Sequence, residues 1–143
     1  MGNFHGWSTS GKKKTKTDKN GLPLPTANGI TAAVIRTVNM QPKCSAYRIN
    51  NVGVYDEKIK MHRRANTQKG IFDIHCTIRG RSCWFEVKAP GDKPSKEQLI
   101  FQQEIRLSGG IAEFIPSTDH FLKLFTQILD QCLTLPTIVL GEN

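Results

Sequence analysis

Residues 71–89 read Ile71-Phe72-Asp73-Ile74-His75-Cys76-Thr77-Ile78-Arg79-Gly80-Arg81-Ser82-Cys83-Trp84-Phe85-Glu86-Val87-Lys88-Ala89. Two runs rich in β-branched and aromatic residues flank Arg79-Gly80-Arg81, the pattern of antiparallel strands joined by a tight turn. The strands are expected over 71–78 and 82–89. Period-two alternation puts Ile71, Asp73 and His75 on one face of the first strand, and Phe72 and Ile74 on the other. On the second strand Glu86 and Lys88 oppose Phe85 and Val87. Counted from a turn centred near Gly80, Asp73 is seven residues back and Glu86 six on, so the two carboxylates fall at similar height. They should then lie about one strand spacing apart. A buried carboxylate is costly unless paired, hydrogen-bonded or bound to metal. Two neighbouring carboxylates repel, and a divalent cation between them removes the conflict; hard oxygen donors favour Mg²⁺ or Mn²⁺. The same pattern also fits a Glu–Lys pair on a solvated face.

Outward from the hairpin, Ser95 caps a helix expected to run to about Leu107, stopped by Gly109-Gly110. Ile111 to Pro116 reads as a short apolar strand. Phe121, Leu124, Phe125, Ile128, Leu129 and Cys132 form one apolar stripe on a helix over 118–132. Upstream, Ile30, Ala33, Val34 and Val38 recur at helical spacing over 28–40, behind Asn28 as a cap. Ala46 to Asn51 reads as a strand, and residues 52–69 as a long polar, irregular loop. Residues 135–140 fit an edge strand or a packed tail. The order is α-β-β-β-α-β-α. The strand–helix–strand unit from Ser82 to Pro116 calls for a parallel crossover, and the hairpin is antiparallel. An α/β fold with a mixed sheet flanked by helices is therefore expected.

The chain has 143 residues, 38% hydrophobic and 22% charged, enough for one ordinary globular domain. Its formal net charge is +8, which points to a polyanionic partner. Residues 1–27 carry +4, residues 28–108 carry +7 and residues 109–143 carry −3. The first segment, rich in Lys, Gly, Ser, Thr and Pro, reads as a flexible basic arm. A single domain is expected over 28–143. Cys44, Cys76, Cys83 and Cys132 have no C-x-x-C spacing, and reduced core thiols are expected. No apolar run approaches the length of a membrane span, so the expected location is cytoplasmic, with no membrane partner.

Asp73 followed by Glu86-Val87-Lys88 is a D…E-x-K constellation. Around it stand Lys69-Gly70-Ile71-Phe72-Asp73-Ile74, Gly80-Arg81, Phe85-Glu86-Val87-Lys88, Ser95-Lys96-Glu97-Gln98 and Gly109-Gly110, in that order. Tyr47-Arg48-Ile49-Asn50 and Gly53-Val54-Tyr55-Asp56 precede them. Over about residues 28–125 the ordered set resembles the VRR-NUC family of the PD-(D/E)XK nuclease superfamily, which includes small stand-alone phage and prophage enzymes. The resemblance implies a restriction-endonuclease-like core and a metal-dependent DNA endonuclease. Asp73, Glu86 and the Val87 backbone carbonyl would bind Mg²⁺ or Mn²⁺. Lys88 would orient the attacking water or offset charge at phosphorus. It further implies a structure-selective enzyme, acting on branched DNA such as a Holliday junction, as a homodimer.

The motif departs from the family in two places. Phe72 stands where Pro usually precedes the Asp. The family places a Glu in the first helix, and here Asn28 or Gly29 occupies that place. Asn28 fits either a neutral oxygen ligand or water-orienting group, or a helix cap alone. Gln98 resembles a site glutamine of the family, and Ser95-x-x-Gln98 is also a capping box. Arg48 and Asn50 share a strand face as phosphate contacts or as edge residues. Arg63 and Arg64, with His62, read as a substrate loop, and Lys69 adds to the basic field. His75, on the face of Asp73, reads as structural. Two rival functions share the fold: a non-catalytic nucleic-acid-binding module, and a sequence-specific restriction-type endonuclease.

Overall fold

The computed structural model describes residue 17 and residues 19–49, 53–63 and 68–133. Residues 1–16 and 18 of the basic arm, Asn50, Arg64 and the tail over 135–140 lie outside the described residues. The elements run α1 (Ala27–Asn39), β1 (Cys44–Arg48), β2 (Val54–Asp56), β3 (Met61–Arg63), β4 (Ile74–Ile78), β5 (Arg81–Val87), α2 (Lys96–Leu107), β6 (Ile111–Ile115) and α3 (Thr118–Leu133). Strands β1-β4-β5-β6 form a mixed four-stranded sheet flanked by helices, and β2-β3 form a separate ribbon. The α/β class expected from the sequence is the observed one.

The central hairpin pairs Ile74 with Phe85, Cys76 with Cys83 and Ile78 with Arg81. Its turn is the two residues Arg79 and Gly80, with φ of 49° and 86°. Two consecutive positive φ values give the twist that matches paired strands. Arg81, expected in the turn, therefore opens β5. The strained Arg79 is tied down at both ends: its N–H donates to Lys43 O at 2.9 Å and its guanidinium to Leu129 O at 3.3 Å.

Helices α1 and α3 cover one face of the sheet. Ile30, Val34 and Val38 recur every four residues on α1 and pack with Ile74, Cys76, Ile78, Cys83, Phe85, Ile115, Phe121, Phe125 and Ile128. The α1 cap is Thr26, whose hydroxyl accepts from Gly29 N at 3.1 Å. Asn28, read as the cap, lies inside the first turn instead. At the other end Asn39 bridges to β1, its amide donating to Ala46 O at 3.0 Å and accepting from Ala46 N at 2.8 Å. The four cysteines are free thiols. Burial pushes the Cys83 thiol up to about 12 and the Cys76 thiol higher still, so neither is a thiolate at neutral pH.

Helix α2 lies on the opposite face. Phe101 and Ala112 pack there with Phe72. Alternation had placed Phe72 with Ile74. The chain bends at Asp73 before β4 begins at Ile74, and this turns Phe72 to the α2 side, 5.2 Å from Phe101 and 5.0 Å from Phe114 between ring centroids.

The segment over 52–69, expected to be irregular, contains the β2–β3 ribbon, with Asp56 opposite Met61. Its turn is an Asx turn: Asp56 Oδ1 accepts from Lys58 N at 2.9 Å, and Lys60 takes φ of 50°. Two three-residue strands of mainly polar residues carry no alternation long enough to read, although Asp56 ahead of a polar turn was the available signal. Among the described residues no helix is long and apolar enough to cross a membrane.

Candidate active site

The bend at Asp73 and the end of β5 meet at one end of the sheet. There the Asp73 N–H donates to Glu86 Oε2 at 3.0 Å. The other carboxylate oxygen, Oε1, accepts from Gln98 Nε2 at 2.6 Å and lies 3.3 Å from the Lys88 ammonium. Glu86 is only 6% exposed, which rules out the solvated Glu–Lys pair. Burial raises its carboxyl above the ordinary range. The Asp73 charge adds to that rise, and the Asp73 N–H and Lys88 oppose it. The Asp73 carboxylate accepts no hydrogen bond from the described residues, and its residue is half-buried.

Gln98 owes its aim to the start of α2. The Ser95 hydroxyl accepts from Gln98 N at 3.2 Å, and Gln98 Oε1 accepts from Ser95 N at 3.0 Å. With its oxygen engaged by the cap, the amide presents its NH₂ to Glu86. The two readings of Gln98, cap and site residue, therefore hold together. Gly70 brings the strand to this helix end. At φ +74° a Cβ there would overlap the Glu97 carbonyl and crowd Gln98 N, so only glycine allows the approach.

The Lys88 N–H donates to Ile115 O in β6 at 3.0 Å. Main-chain groups alternate along a strand, so those of the preceding Val87 turn toward the β4 side, where Asp73 lies. The carbonyl expected to complete a ligand set is thus on the acidic side of β5.

Other expected residues fall elsewhere. Arg48 and Asn28 meet each other, Arg48 Nη1 donating to Asn28 Oδ1 at 3.2 Å, both exposed. Arg48 continues the row of Cys44 and Ala46 on the α1 side. It therefore sits at the same end of the sheet as the acids but on the other face. Lys69 is exposed and lines, with Glu97 and Glu104 of α2, a cleft of about 220 Å³ that none of the four clustered residues lines. Arg63 belongs to β3.

Sequence reasoning missed a second polar group. Tyr47 OH lies 2.9 Å from His75 Nδ1, and His75 Nε2 lies 3.2 Å from Ser82 Oγ. The Trp84 indole N–H donates to the same Ser82 oxygen at 3.2 Å. His75 is held at both nitrogens, as its structural reading expects, and burial lowers its pKa. The signal was present in the alternation, since Tyr47, His75 and Trp84 each fall on the outward face of its own strand.

Searched against known proteins, the chain matches no family model and no curated sequence.

Proposed function

We propose that the chain is a Mg²⁺- or Mn²⁺-dependent DNA endonuclease with a PD-(D/E)XK core, hydrolysing phosphodiester bonds beside Asp73 and Glu86. The observation that carries this reading is the buried Glu86 carboxylate, held by the Asp73 N–H, Gln98 and Lys88 at one end of the sheet. Burying a carboxylate beside a second acid is costly for stability alone, and perturbed acids of this kind concentrate at functional sites.

The donors suit a hard divalent cation, which prefers oxygen. Asp73, Glu86 and the Val87 carbonyl would hold it. Bound there, it would polarise the phosphate and lower the pKa of an attacking water. Lys88 would orient that water or offset charge gathering on the phosphoryl oxygens. Gln98 is a positioning residue: it fixes the rotamer of Glu86 and touches no substrate atom in this reading. Arg48, Asn50, Arg63, Arg64 and Lys69 would contact the nucleic-acid backbone, in keeping with the +8 charge. By the same resemblance the substrate is branched DNA, and two copies of the chain would bring one site to each of two strands.

One observation favours a non-catalytic binding module instead. Asn28 stands where the family carries its first-helix Glu, and its side-chain oxygen is engaged by Arg48. Labelled branched, flapped, single-stranded and linear duplex DNA, incubated with Mg²⁺, Mn²⁺ or EDTA, separates the readings. The endonuclease cuts at least one substrate with metal and none in EDTA. Binding without cutting on every substrate assigns the binding module. Cutting at one duplex sequence only assigns a restriction-type enzyme.

A further inference from the structure

The α2 face of the sheet is only partly covered. Among the described residues α2 packs on β6, and no helix covers the β1–β4 half. The register there lines up Tyr47, His75 and Trp84 across β1, β4 and β5. This row sits one pleat, two residues, from Asp73 and Glu86 on the same face. That is about 6.8 Å along the strands. Tyr47 is 53% exposed, and its ring stands edge-on to His75 with centroids 5.3 Å apart. The His75 and Trp84 rings are 4.4 Å apart. Trp84 is backed by Phe101, centroids 5.2 Å apart, so one end of the row is anchored in the α2 cluster and the other is open.

An exposed aromatic row is usually loose, but this one is pinned. Each polar atom has a partner within the row or on Ser82. The outward residues of the next row, Ser45, Thr77 and Ser82, are small and uncharged. The surface is therefore neutral and aromatic, its rings inclined to one another at 61° and 53°, and bordered by Lys88 and the acidic pair, in a chain of net charge +8. Such a surface suits a nucleobase face, while the Lys88 ammonium beside it suits a phosphate.

We propose that the Tyr47–His75–Trp84 row is a stacking platform for an unpaired base next to the scissile phosphate, so that the site takes single-stranded or locally splayed DNA. A base inside an intact duplex is already stacked on its neighbours and cannot lie on the row. This inference rests on the nuclease reading of Asp73 and Glu86 and narrows it to a substrate class.

The test is binding of the full chain, in EDTA, to a short oligodeoxythymidylate, to an abasic strand of equal length and to a blunt duplex. Tyr47→Ala and Tyr47→Phe are measured beside the wild type. The platform predicts preference for the base-bearing strand, a loss of about tenfold on that strand in Tyr47→Ala, near-complete retention in Tyr47→Phe, and little change on the abasic strand. Equal affinity for base-bearing and abasic strands overturns it. So does an equal loss on both strands with a lowered melting temperature, which would mean that Tyr47 packs against another part of the chain. Cleavage with Mn²⁺, scored in parallel, separates the two claims. Cutting with base-independent binding removes the platform and leaves the nuclease. Base-dependent binding without cutting under any metal keeps the platform and removes the nuclease.

Discussion

Ile74, Cys76, Cys83 and Phe85 face α1 and α3, while Asp73, His75, Trp84 and Glu86, their immediate neighbours along the chain, face the other way. The first set is sealed: its side chains are apolar or thiol, and each is essentially inaccessible. The second set forms two hydrogen-bonded groups, Glu86 with the Asp73 N–H and His75 with Trp84 through Ser82, and all but the buried Glu86 are half-buried. One hairpin thus presents a surface that serves stability and a surface whose polar groups are too costly to be explained by stability. If that division is real, substitutions on the two faces should separate into different phenotypes.

The largest separation should come from the acids. Asp73→Ala and Glu86→Ala should each cut the proposed cleavage by about a thousandfold or more, since a metal held by them would supply several kcal/mol at the transition state. Circular dichroism and DNA binding in EDTA should stay close to wild type. Unfolding in either variant would break the comparison. On the sealed face, Phe121→Ala should cost about 3–5 kcal/mol in denaturant unfolding, while the folded protein at low temperature keeps its cleavage rate. Gly70→Ala joins the faces: positive φ and the overlap with Glu97 should cost about 1–3 kcal/mol and also shift Gln98, lowering stability and cleavage together.

A finer cut divides the cap of α2 from the support of Glu86. Ser95→Ala removes a capping acceptor and should cost about 1 kcal/mol. Gln98→Glu keeps an oxygen for the Ser95 N–H but replaces the donor to Glu86 with an acid. Cleavage should fall about tenfold or more in Gln98→Glu, and less in Ser95→Ala. Equal losses in the two would reduce Gln98 to a cap.

The smallest expected effect concerns pH. Burial lowers the His75 pKa from 6.5 in the folded state. As pH falls through 6.5 the unfolded chain takes up this proton first. The stability contribution of neutral His75 is therefore present above pH 6.5 and is lost as pH drops toward the folded value. A His75→Gln variant should lack this component, so the difference in melting temperature between wild type and variant should narrow between neutral pH and pH 5. A difference independent of pH would show that His75 does not stay neutral in the folded row.

Much of the sealed face was legible in the chain. The Phe121–Cys132 stripe and the Ile30–Val34–Val38 spacing have the period of a buried helix face, and the hairpin has period two over enough residues to count. The adjacency of Asp73 and Glu86 followed from that count, the capping box of Gln98 from its three-residue offset to Ser95, and its place beside Glu86 only from the family resemblance. The remainder depended on single-residue geometry. Phe72 changes sides because the chain bends at Asp73, and alternation assumes a straight strand. Thr26 rather than Asn28 caps α1, because two neighbouring residues both suit a cap and only backbone angles choose between them. The β2–β3 ribbon is too short and polar to show a pattern. The pairing of Arg48 with Asn28 depends on the start of α1 reaching β1, which neither segment's own pattern contains.

The contact between Asp73 and Glu86 has one more consequence. The group that Asp73 lends to Glu86 is its main-chain amide, which every residue except proline possesses. The carboxylate at position 73 is therefore removable without unseating its neighbour. An Asp73→Asn protein should keep the Glu86 clasp as it stands while losing a full negative charge at the mouth of the site. Such a protein would serve as an inert trap, holding an uncut substrate strand in place for crystallisation.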